Sequence, residues 1–592
     1  MPSKFVCIVM SAAIIMGQAV GAELHVPAQY ADVQDAISAA SDGDVIVLAQ
    51  GTYTSRFAFA FYGKRITVRS SDPLDDAVRD STVITNRVWF TYGEGQESVL
   101  AGLTLGGGIY CSSSSPTIER NRILFAGQPP DLFPQAHYFG NSKAMMKDNV
   151  FASTVLPYAR LIYCSESAVR IVGNTFTSNE AGNIIDVWGA VAGATTIIQG
   201  NSIIGNKASS AIYITDNTPM GTRVSAIVTG NVISANDTEE NNSKPAIAIY
   251  HAHDAVVADN VISGNTMRGI YCQDSDTCAL IGNTISGNNE HGIVCDYGVN
   301  LRALIQGNYV VGNSLYGLVI GRAQAVVLSN VIFGNQRMGV LHHDDYNRPG
   351  VYADNLIVGN GIWAASEAAG ASFRSEVLFI GNTLVGNYSI YPRAAMKLAG
   401  PIKVGNCIMW GNRSPEGKSI DLAYKHPYIA DSCIDGGVDS IVNMLNGWEG
   451  WGPGNIEADP LFVDPGHWDG DTFIPGDYHL LPGSPCIDAG TNDVDNPDTP
   501  EVETLPATDI AGLPRVIDGN LDGTATVDIG AYEYLPGDVN YDGRVNVLDL
   551  ILVRNSLASD PASSAEARKA DVNADGAVNV EDLLLVRTRL GK

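Results

Sequence analysis

Short apolar runs alternate with Gly-Asn steps along most of the chain, from about residue 118 to residue 412. The repeated unit is clearest in Gly173-Asn-Thr-Phe-Thr-Ser-Asn179, Gly200-Asn-Ser-Ile-Ile-Gly-Asn206, Gly230-Asn-Val-Ile-Ser-Ala-Asn236, Gly282-Asn-Thr-Ile-Ser-Gly-Asn288 and Gly307-Asn-Tyr-Val-Val-Gly-Asn313. It continues through Asn330, Asn355, Asn382 and Asn406, and successive first asparagines are 22 to 30 residues apart. Short β-branched runs favour strands, and Gly-Asn steps favour turns with positive φ. The pattern therefore predicts stacked coils of short strands.

A solenoid of helices would need amphipathic runs of ten or more residues with few glycines, and the repeat has none. We therefore predict a mainly β chain folded as a right-handed parallel β-helix. Each coil buries one or two aliphatic side chains, and stacked coils share one core. Asparagines at equivalent turns are predicted to stack, with each amide bonding the next coil. This structural role accounts for nearly every asparagine of the repeat.

The segment before the repeat has the pattern of a cap. Residues 30–40 predict an amphipathic helix, and residues 43–53 predict a strand and a turn that seal one end of the solenoid. Together with the Gly-Asn repeats, this unit resembles the secreted pectate-lyase-like β-helix proteins over about residues 24–415. That family includes pectate lyases, polygalacturonases, alginate epimerases, adhesins and periplasmic accessory proteins. The resemblance implies the fold far better than an activity.

The first 22 residues have the pattern of an export signal. Lys4 supplies a small positive region, an apolar run extends from Phe5 to Met16, and Val20-Gly-Ala22 is a small-residue cleavage site. No other apolar run is long enough to span a bilayer. We therefore predict an exported mature chain without a transmembrane segment, either extracellular or associated with the cell surface.

Composition narrows the choice of partners. The formal net charge is −28, and no basic stripe is present to neutralise phosphates, which argues against nucleic acid. Of the nine cysteines, Cys7 lies in the signal and the other eight lack zinc-type spacing. Two cysteine pairs are candidates for disulfides after export: Cys272 with Cys278, and Cys433 with Cys486.

The C-terminus contains one twelve-residue pattern twice, at residues 538–549 and 571–582. Oxygen-bearing side chains fall at positions 1, 3, 5, 9 and 12, and Gly543 or Gly576 stands at position 6, where a calcium loop turns sharply. Position 7 contributes only a backbone carbonyl. The predicted Ca²⁺ ligands are Asp538, Asn540, Asp542, Arg544, Asn546, Asp549, Asp571, Asn573, Asp575, Ala577, Asn579 and Asp582. A short helix is predicted after each loop, and none before the first.

This duplicated unit, with Asp at position 12, resembles the type I dockerin module over about 55 residues. The resemblance implies two Ca²⁺ ions and a cohesin-like protein that attaches the chain to a scaffold or surface. In that family, loop positions 10 and 11 and a later basic residue set the partner face. The corresponding residues here are Val547-Leu548, Val580-Glu581, Arg554 and Arg587. The apolar or acidic pairs depart from the hydroxyl pair common in cellulosomal dockerins.

These patterns divide the chain into four segments. We predict a signal peptide at residues 1–22, a parallel β-helix at 23–415, terminal coils with an anchor-associated extension at 416–535, and a small all-α, calcium-binding dockerin-like domain at 536–592. Within the extension, Asp518-Gly-Asn-Leu-Asp-Gly523 resembles half a calcium loop. This segment either binds a further Ca²⁺ near Asp518–Asp522 or forms an ordinary Asx-rich turn. A further Ca²⁺ in the β-helix groove is the other possibility that the sequence leaves open.

Aligning the coils on their asparagines places several small or polar residues at one inward position, as a file in the core. The members of this file are Cys111, Cys164, His251, Cys272, Cys295 and His342. Polar residues accumulate just beyond it, on loops that stack about 4.8 Å apart. They include His253, Asp254, Asp274, Asp276, Asp296 and Tyr297. The predicted catalytic residues are His343, Asp344, Asp345, Tyr346 and Arg348, where a His or Tyr transfers a proton and carboxylates hold Ca²⁺ against an acidic sugar.

Two functions stay open at this point. The combination of a dockerin-like module with a pectate-lyase-like repeat favours a secreted carbohydrate-active enzyme that acts on an acidic polysaccharide as a lyase or a hydrolase. A hydrolase would use paired carboxylates. For a lyase base, Arg348, Arg393 and Lys397 are available, although none stands in a recognised motif. The other function is a non-catalytic surface, adhesion or glycan-binding protein whose solenoid is a spacer.

Overall fold

The structure is a computed structural model, and it describes residues 21–591 except for 126–134, 190–193, 217–223, 238–243, 297–300, 344–347, 362–367, 391–393, 424–426, 443–447 and 494–504. The predicted signal peptide lies almost wholly outside the described residues. Tyr297, Asp344, Asp345, Tyr346 and Arg393 also lie outside them.

Three parallel sheets form the walls of a solenoid, and the chain passes through them in turn on each coil. Sheet 1 consists of the strands Glu23–Val26, Val45–Leu48, Thr67–Ser70, Val99–Ala101, Thr117–Glu119, Met145–Lys147, Arg170–Val172, Thr195–Gln199, Ser225–Thr229, Asp254–Ala258, Thr277–Ile281, Arg302–Gln306, Gln324–Leu328, Gly350–Ala353, Val377–Ile380, Ile402–Gly405 and Tyr428–Ala430.

Sheet 2 consists of the strands Gly51–Tyr53, Thr82–Ile84, Thr104–Leu105, Arg122–Ile123, Val150–Ala152, Thr175–Thr177, Ser202–Ile204, Val232–Ser234, Val261–Ser263, Thr284–Ser286, Tyr309–Val311, Val331–Phe333, Leu356–Val358, Thr383–Val385, Ile408–Trp410 and Cys433–Ile434. Sheet 3 consists of Phe59–Ala60, Val88–Phe90, Ile109–Ser112, Gln135–Gly140, Val155–Leu156, Arg160–Ser165, Glu180–Trp188, Lys207–Thr215, Pro245–Tyr250, Arg268–Gln273, Ile293–Asp296, Tyr316–Ile320, Met338–His342, Ala371–Phe373, Met396–Leu398, Ile420–Leu422 and Ile441–Val442. The predicted parallel β-helix is confirmed.

Helices occur at the two ends of the chain. The cap helix α1 spans Val33–Ala39, and Asp32 caps its start by accepting a hydrogen bond from the N–H of Gln34. The helix buries Val33, Ala36 and Ile37 against the first coils. The other helices are α2 at Asp76–Ser81, α3 at Val547–Ser556, α4 at Ala565–Ala570 and α5 at Val580–Arg589, with 3-10 turns at Gly437–Ser440 and Pro561–Ser563.

Two columns of buried asparagine run along sheet 2, one at each end of its strands. In each column the backbone N–H and Nδ2 of one asparagine both donate to Oδ1 of the next, as from Asn174 to Asn201 at 2.9 and 3.0 Å. The first column is Asn121, Asn149, Asn174, Asn201, Asn231, Asn260, Asn283, Asn308, Asn330, Asn355 and Asn382. The second is Asn179, Asn206, Asn236, Asn265, Asn288, Asn313, Asn335, Asn360, Asn387 and Asn412. The ladders therefore pair polar groups that the core would otherwise leave unsatisfied.

Asn406 departs from the predicted ladder. Its φ of 53° places it where Gly381, with φ 61°, stands one coil earlier. Cys407 takes the ladder position instead, and its N–H donates to Ser432 Oγ at 3.2 Å. The Asn406 side chain clasps Thr491 of the extension, accepting from its N–H at 2.8 Å and donating to its carbonyl at 2.9 Å. The assignment of Asn406 to the ladder was therefore wrong by one residue.

The interior and the extension form two separate apolar layers. Side chains from all three sheets make one continuous core inside the coils. A second cluster packs Leu356, Val385 and Ile408 of sheet 2 against Phe462 and Phe473 of the extension. The extension contributes two antiparallel pairs, Phe462–Asp464 with Asp477–Leu480 and His467–Asp469 with Thr472–Ile474. The outer face of sheet 2 is thus covered near its C-terminal end.

Candidate functional site

The outer face of sheet 3 carries a row of mostly aromatic side chains. The row follows successive strand partners, namely Trp89, Tyr110, Tyr138, Tyr163, Asp186 and Tyr213. The rings of Tyr110 and Tyr138 are stacked with centroids 5.0 Å apart, and Tyr138 lies 6.0 Å from Tyr163. Every second residue of a strand faces outward, and five coil steps of about 4.8 Å give a platform roughly 24 Å long. Asp186 is the one charged residue in this row.

Asp186 is almost completely buried, with a side-chain exposure of 1%. Its Oδ2 accepts hydrogen bonds from Arg160 Nε at 2.6 Å and from Asn183 Nδ2 at 2.9 Å. Its Oδ1 is buried and has no hydrogen-bond partner among the described residues. Burial raises the pKa of Asp186, and the bonds from Asn183 and Arg160 oppose that rise only in part. A perturbed, half-satisfied carboxylate of this kind is typical of a functional site.

Arg160 is held in place by its surroundings. Its guanidinium carbon lies 4.4 Å from the ring centroid of Tyr163 and 5.7 Å from that of Trp188. These cation–π contacts, together with the bond to Asp186, fix the orientation of the side chain. The side chain is still 31% exposed, so a ligand can reach its remaining N–H groups.

These residues open into a cavity of about 360 Å³. Its described lining consists of Tyr158, Arg160, Gly182, Asn183, Asp186, Trp188, Ser209, Ser210, Tyr213 and Lys244. Burial raises the pKa of the Tyr213 hydroxyl, and the neighbouring Asp186 adds to the rise. Aromatic walls with a few convergent polar groups are typical of a small-ligand site.

The sequence motifs described above do not point to this site. Its signal is present in residues 184–188, where Asp186 interrupts the apolar run Ile-Ile-Asp-Val-Trp of a nine-residue strand. Arg160 lies one coil earlier and faces Asp186 only through the parallel register of sheet 3. The two residues are 26 positions apart, so no local motif unites them.

The predicted polar loops lie at the corner where the chain turns from sheet 3 into sheet 1. Neighbouring coils are joined there by His251 Nδ1 and Asp274 Oδ2 at 3.0 Å, and by His253 Nδ1 and Asp276 Oδ2 at 2.9 Å. Asp254 accepts a hydrogen bond from Thr277 Oγ1. The corner is solvated, because the side chains of His253 and Asp254 are more than half exposed.

Of the five predicted catalytic residues, the structure describes two. His343 is half-buried, and its backbone N–H donates to the Ile320 carbonyl at 2.9 Å. Arg348 Nη1 donates to the Arg322 carbonyl at 2.9 Å, which ties it to the preceding coil. Asp344, Asp345 and Tyr346 lie outside the described residues. The role of this set therefore stays a prediction.

The inward file beside this corner contains Cys111, Cys164, Cys272, Cys295 and His342, all of them buried. His251 does not belong to it, which corrects the alignment. Ile249 is the strand partner of Cys272, and His251 lies two residues later in the turn with φ 55°. His342 is accommodated because its Nδ1 pairs with the Tyr352 hydroxyl at 3.1 Å, and burial lowers its pKa to about 3.

The first C-terminal loop folds around its predicted calcium ligands. Asp538 Oδ2 accepts from the N–H of Gly543 at 2.8 Å, and Asp549 accepts from the N–H groups of Val539, Asn540 and Asn546. Burial raises the pKa of Asp538 to about 6, and the nearby Asp549 carboxylate adds to the rise. Carboxylates that crowd in this way favour a bound cation, so the donor set fits Ca²⁺.

The second loop repeats this geometry. Gly576 N–H donates to Asp571 Oδ2 at 3.0 Å, and Asp582 accepts from the N–H groups of Asn573 and Asn579 at 3.2 and 2.8 Å. Helices α3 and α5 follow the loops as predicted, each with an Asn–Asp capping box. The first loop also contacts the body, because the Tyr541 hydroxyl donates to the Leu480 carbonyl at 3.0 Å and its ring stacks on His479.

The half loop at Asp518 has the same backbone bonding. Gly523 N–H donates to Asp518 Oδ2 at 3.1 Å, and Asp522 N–H donates to Asn520 Oδ1 at 2.9 Å. The segment lacks an acid at position 12. Asp488, from an earlier part of the chain, accepts from the N–H groups of Asn520 and Thr526 in its place.

Within the described part of the chain, no group of three or more His, Cys, Asp and Glu side chains is placed to hold a metal ion. The C-terminal loops instead combine carboxylates with amide and backbone oxygens. No described helix is long and apolar enough to cross a membrane.

Two family models match parts of the chain. Residues 536–591 match the dockerin type I domain, and the chain therefore carries such a domain at its C-terminus. Residues 223–388, within the solenoid, match the model described as periplasmic copper-binding protein (NosD). No curated protein matches the chain.

Solved structures with a similar fold are distant in sequence. The periplasmic alginate epimerase AlgG is 14% identical, with 60% of this chain and 81% of that chain covered and a TM-score of 0.34. The A-module of the Azotobacter vinelandii mannuronan C-5 epimerase AlgE4 is 13% identical over 51% and 89% of the two chains, with a TM-score of 0.29. A mannuronic acid specific polysaccharide family 6 lyase from human gut microbiota is 13% identical over 73% and 90%, also with a TM-score of 0.29.

Proposed function

We propose that this chain is an exported protein that binds an acidic polysaccharide along the outer face of sheet 3 and cleaves it by lyase chemistry. The observation that carries the proposal is the buried Asp186, which has one unpaired oxygen beside Arg160 in an aromatic-walled cavity. The dockerin domain attaches the protein to a scaffold or surface through a cohesin-like partner.

An acidic substrate fits the charges of the cavity. Arg160 and Lys244 are the two cations of the described lining, in a chain whose formal net charge is −28. A guanidinium and an ammonium together bind a carboxylate of a uronate unit. The aromatic row from Trp89 to Tyr163 then supports neighbouring sugar rings, whose apolar faces stack on it.

The residues of the cavity suit β-elimination. The Asp186 carboxylate, which lines the cavity, takes the proton from the carbon that bears the uronate carboxylate, and Arg160 with Lys244 stabilises the negative charge that develops there. The Tyr213 hydroxyl donates a proton to the departing sugar oxygen. One C–H and one C–O bond break and a C=C bond forms. Hydrolysis needs a second carboxylate across the scissile bond, and Asp186 is the single carboxylate of the described lining.

Calcium has a structural place in this proposal. The two C-terminal loops would hold one Ca²⁺ each, which neutralises their carboxylates and stabilises the fold that presents the docking helices. Val547 and Leu548, at the start of α3, and Val580, at the start of α5, are more than half exposed. These residues are the proposed contact with the cohesin-like partner. The half loop at Asp518, completed by Asp488, is proposed as a third Ca²⁺ site.

Turnover on defined polysaccharides tests the proposal. The purified protein is incubated with pectate, alginate and other uronans, and unsaturated products are followed by ultraviolet absorbance beside reducing ends. We expect both signals to rise together on one uronan. Reducing ends without unsaturated products would indicate a hydrolase, and binding without either signal would indicate a glycan-binding protein.

Calcium stoichiometry tests the metal sites on the full chain. After chelator treatment, calorimetry with Ca²⁺ should detect three sites in the wild type. Asp549→Ala and Asp582→Ala should each remove one site of the dockerin domain, and Asp518→Ala should remove the third. An unchanged stoichiometry in Asp518→Ala would reject the third site and leave the other two intact.

A further inference from the structure

A second cavity lies towards the other end of the solenoid, between a turn that follows sheet 2 and a hairpin of the extension. It has a volume of about 260 Å³ and is lined by Tyr388, Arg413, Trp468, Gly470 and Asp471. This is slightly below the usual range for small-molecule pockets. The cavity therefore suits one sugar ring rather than several.

The hairpin is fixed by its packing on the solenoid. Its strands are His467–Asp469 and Thr472–Ile474, and Phe473 pairs with Trp468 across them. Phe473 packs closely on Gly386 and Gly359, two glycines in turns that follow sheet 2 strands. A Cβ added at Gly386 would lie 2.2 Å from the Phe473 ring, and a Cβ added at Gly359 would lie 2.7 Å from the Phe473 side chain. The fold alone thus holds Trp468 in place, so the site is pre-organised for a ligand.

Trp468 and Tyr388 form an aromatic corner of the cavity. Their ring centroids are 5.7 Å apart in an edge-to-face arrangement. Both rings are half-buried and therefore keep an accessible surface. The Trp468 indole N–H is buried and has no acceptor among the described residues. A buried donor without a partner is costly to the fold.

Arg413 and Asp471 supply the polar side of the cavity. Both are exposed, and neither side chain has an ion pair or hydrogen bond within the described part of the chain. Arginine only donates hydrogen bonds and an ionised aspartate only accepts them. Sugar hydroxyls do both, so the pair matches a hydroxyl-rich ring. One positive and one negative charge also cancel, which removes any preference for a charged ligand.

We propose that this cavity is an ancillary binding site for one pyranose unit of a neutral polysaccharide. The ring stacks on Trp468, while its hydroxyls accept from Arg413 and donate to Asp471. The site is separate from the cavity beside Asp186 on sheet 3, called the groove below, because Tyr388 precedes the strand Met396–Leu398, nine sheet 3 strands beyond Arg160–Ser165. At about 4.8 Å per coil the two sites are roughly 40 Å apart. The protein is thereby held on a neutral matrix while the groove acts on another glycan.

Affinity electrophoresis of the full chain in gels containing soluble xylan, β-glucan, galactomannan, pectate or alginate tests this proposal. We expect at least one neutral polysaccharide to retard the wild type. Arg413→Ala and Asp471→Asn should each weaken that binding about tenfold, through the loss of hydrogen bonds. Asp469→Asn is the matched control, since Asp469 lies in the same hairpin and outside the lining. It should bind like the wild type.

Further variants distinguish binding at this cavity from activity at the groove. Asp186→Asn, which disables the proposed lyase, should leave retardation by the neutral polysaccharide unchanged. In Trp468→Phe, addition of that polysaccharide should quench the tryptophan fluorescence less than it does in the wild type. The circular dichroism spectrum of this variant should match that of the wild type. No retardation by any neutral polysaccharide, or an equal loss in Asp469→Asn, would overturn the proposal. Retardation by uronans alone that Arg413→Ala removes would also overturn it, because the ligand would then be acidic.

Discussion

The outer face of sheet 3 and the corner between sheets 3 and 1 both place acid–base pairs on neighbouring coils, with different results. Arg160 and Asp186 meet at 2.6 Å on the face, and His253 and Asp276 meet at 2.9 Å at the corner. The side chain of Asp186 is 1% exposed and that of Asp276 is 35% exposed. On the face, aromatic side chains of adjacent coils remove water from the carboxylate and raise its pKa. We therefore expect the reaction at the sheet 3 face, where aromatic side chains exclude water from the carboxylate. A charge pair alone does not indicate a reactive site.

The largest expected effect comes from Asp186→Asn. The amide keeps the shape of the carboxylate but cannot accept the substrate proton. We expect kcat on the active uronan to fall about 10²- to 10⁴-fold, the range for loss of a general base. The matched change at the corner, Asp276→Asn, should leave kcat within about twofold of the wild type. Comparable losses in both variants, from initial rates at saturating substrate, would break the comparison.

Arg160→Ala should have the next largest effect. It removes the donor to Asp186 and the cation that binds the uronate carboxylate, so KM rises and kcat falls. Arg160→Lys keeps the charge but loses the planar contact with Tyr163 and the bond from Nε. We expect it to recover KM more than kcat. Steady-state kinetics of the two variants check this order, and identical parameters would refute a positioning role for the guanidinium.

The pH profile sharpens the comparison further. Burial raises the pKa of Asp186, so the acid limb of kcat/KM should lie above the ordinary range of carboxyl groups. Asn183 donates to the ionised form and lowers that pKa. Asn183→Ala should therefore move the acid limb to higher pH, by about half a unit or more for one hydrogen bond. An acid limb that stays in place would exclude Asp186 as the titrating group.

Asp186 should support activity but lower the free energy of unfolding at neutral pH. Because the pKa of Asp186 is higher in the folded state, its contribution to stability is present below the unfolded pKa and lost as pH rises through the folded value. Asp186→Asn should thus stabilise the protein slightly at neutral pH. Functional sites often carry such a cost. Urea unfolding at pH 5 and pH 8 tests this, and a destabilised Asp186→Asn at pH 8 would contradict it.

The smallest expected effect belongs to the corner itself. His253→Ala breaks an exposed pair, and such pairs contribute about 0–1 kcal/mol. We expect a change in unfolding free energy within about 0.5 kcal/mol and unchanged kcat. A larger loss of activity would return the corner to consideration as the site.

Much of the fold could be predicted because its causes are local and repeated. Gly200 has φ 62° and Asn201 enters the ladder one residue later, as the Gly-Asn step predicts. The twelve-residue loops are equally local, because Gly543 and Asp549 form their hydrogen bonds with residues of the same loop. Asn406 was misplaced by one residue and His251 by two, because the asparagines do not fix the register of every coil. In such stacked coils a one-residue shift changes which side chain enters the core.

The sequence by itself therefore determined the solenoid, the cap helix and the C-terminal loops, since each depends on residues close together in the chain. Only the tertiary structure decided where the proposed functional site lies. Asp186 is buried by tyrosines from neighbouring coils, and Arg160 reaches it through register across 26 residues. Trp468 faces Tyr388 only because the extension folds back onto sheet 2. Desolvation and long-range register arise from packing, which no single stretch of sequence specifies.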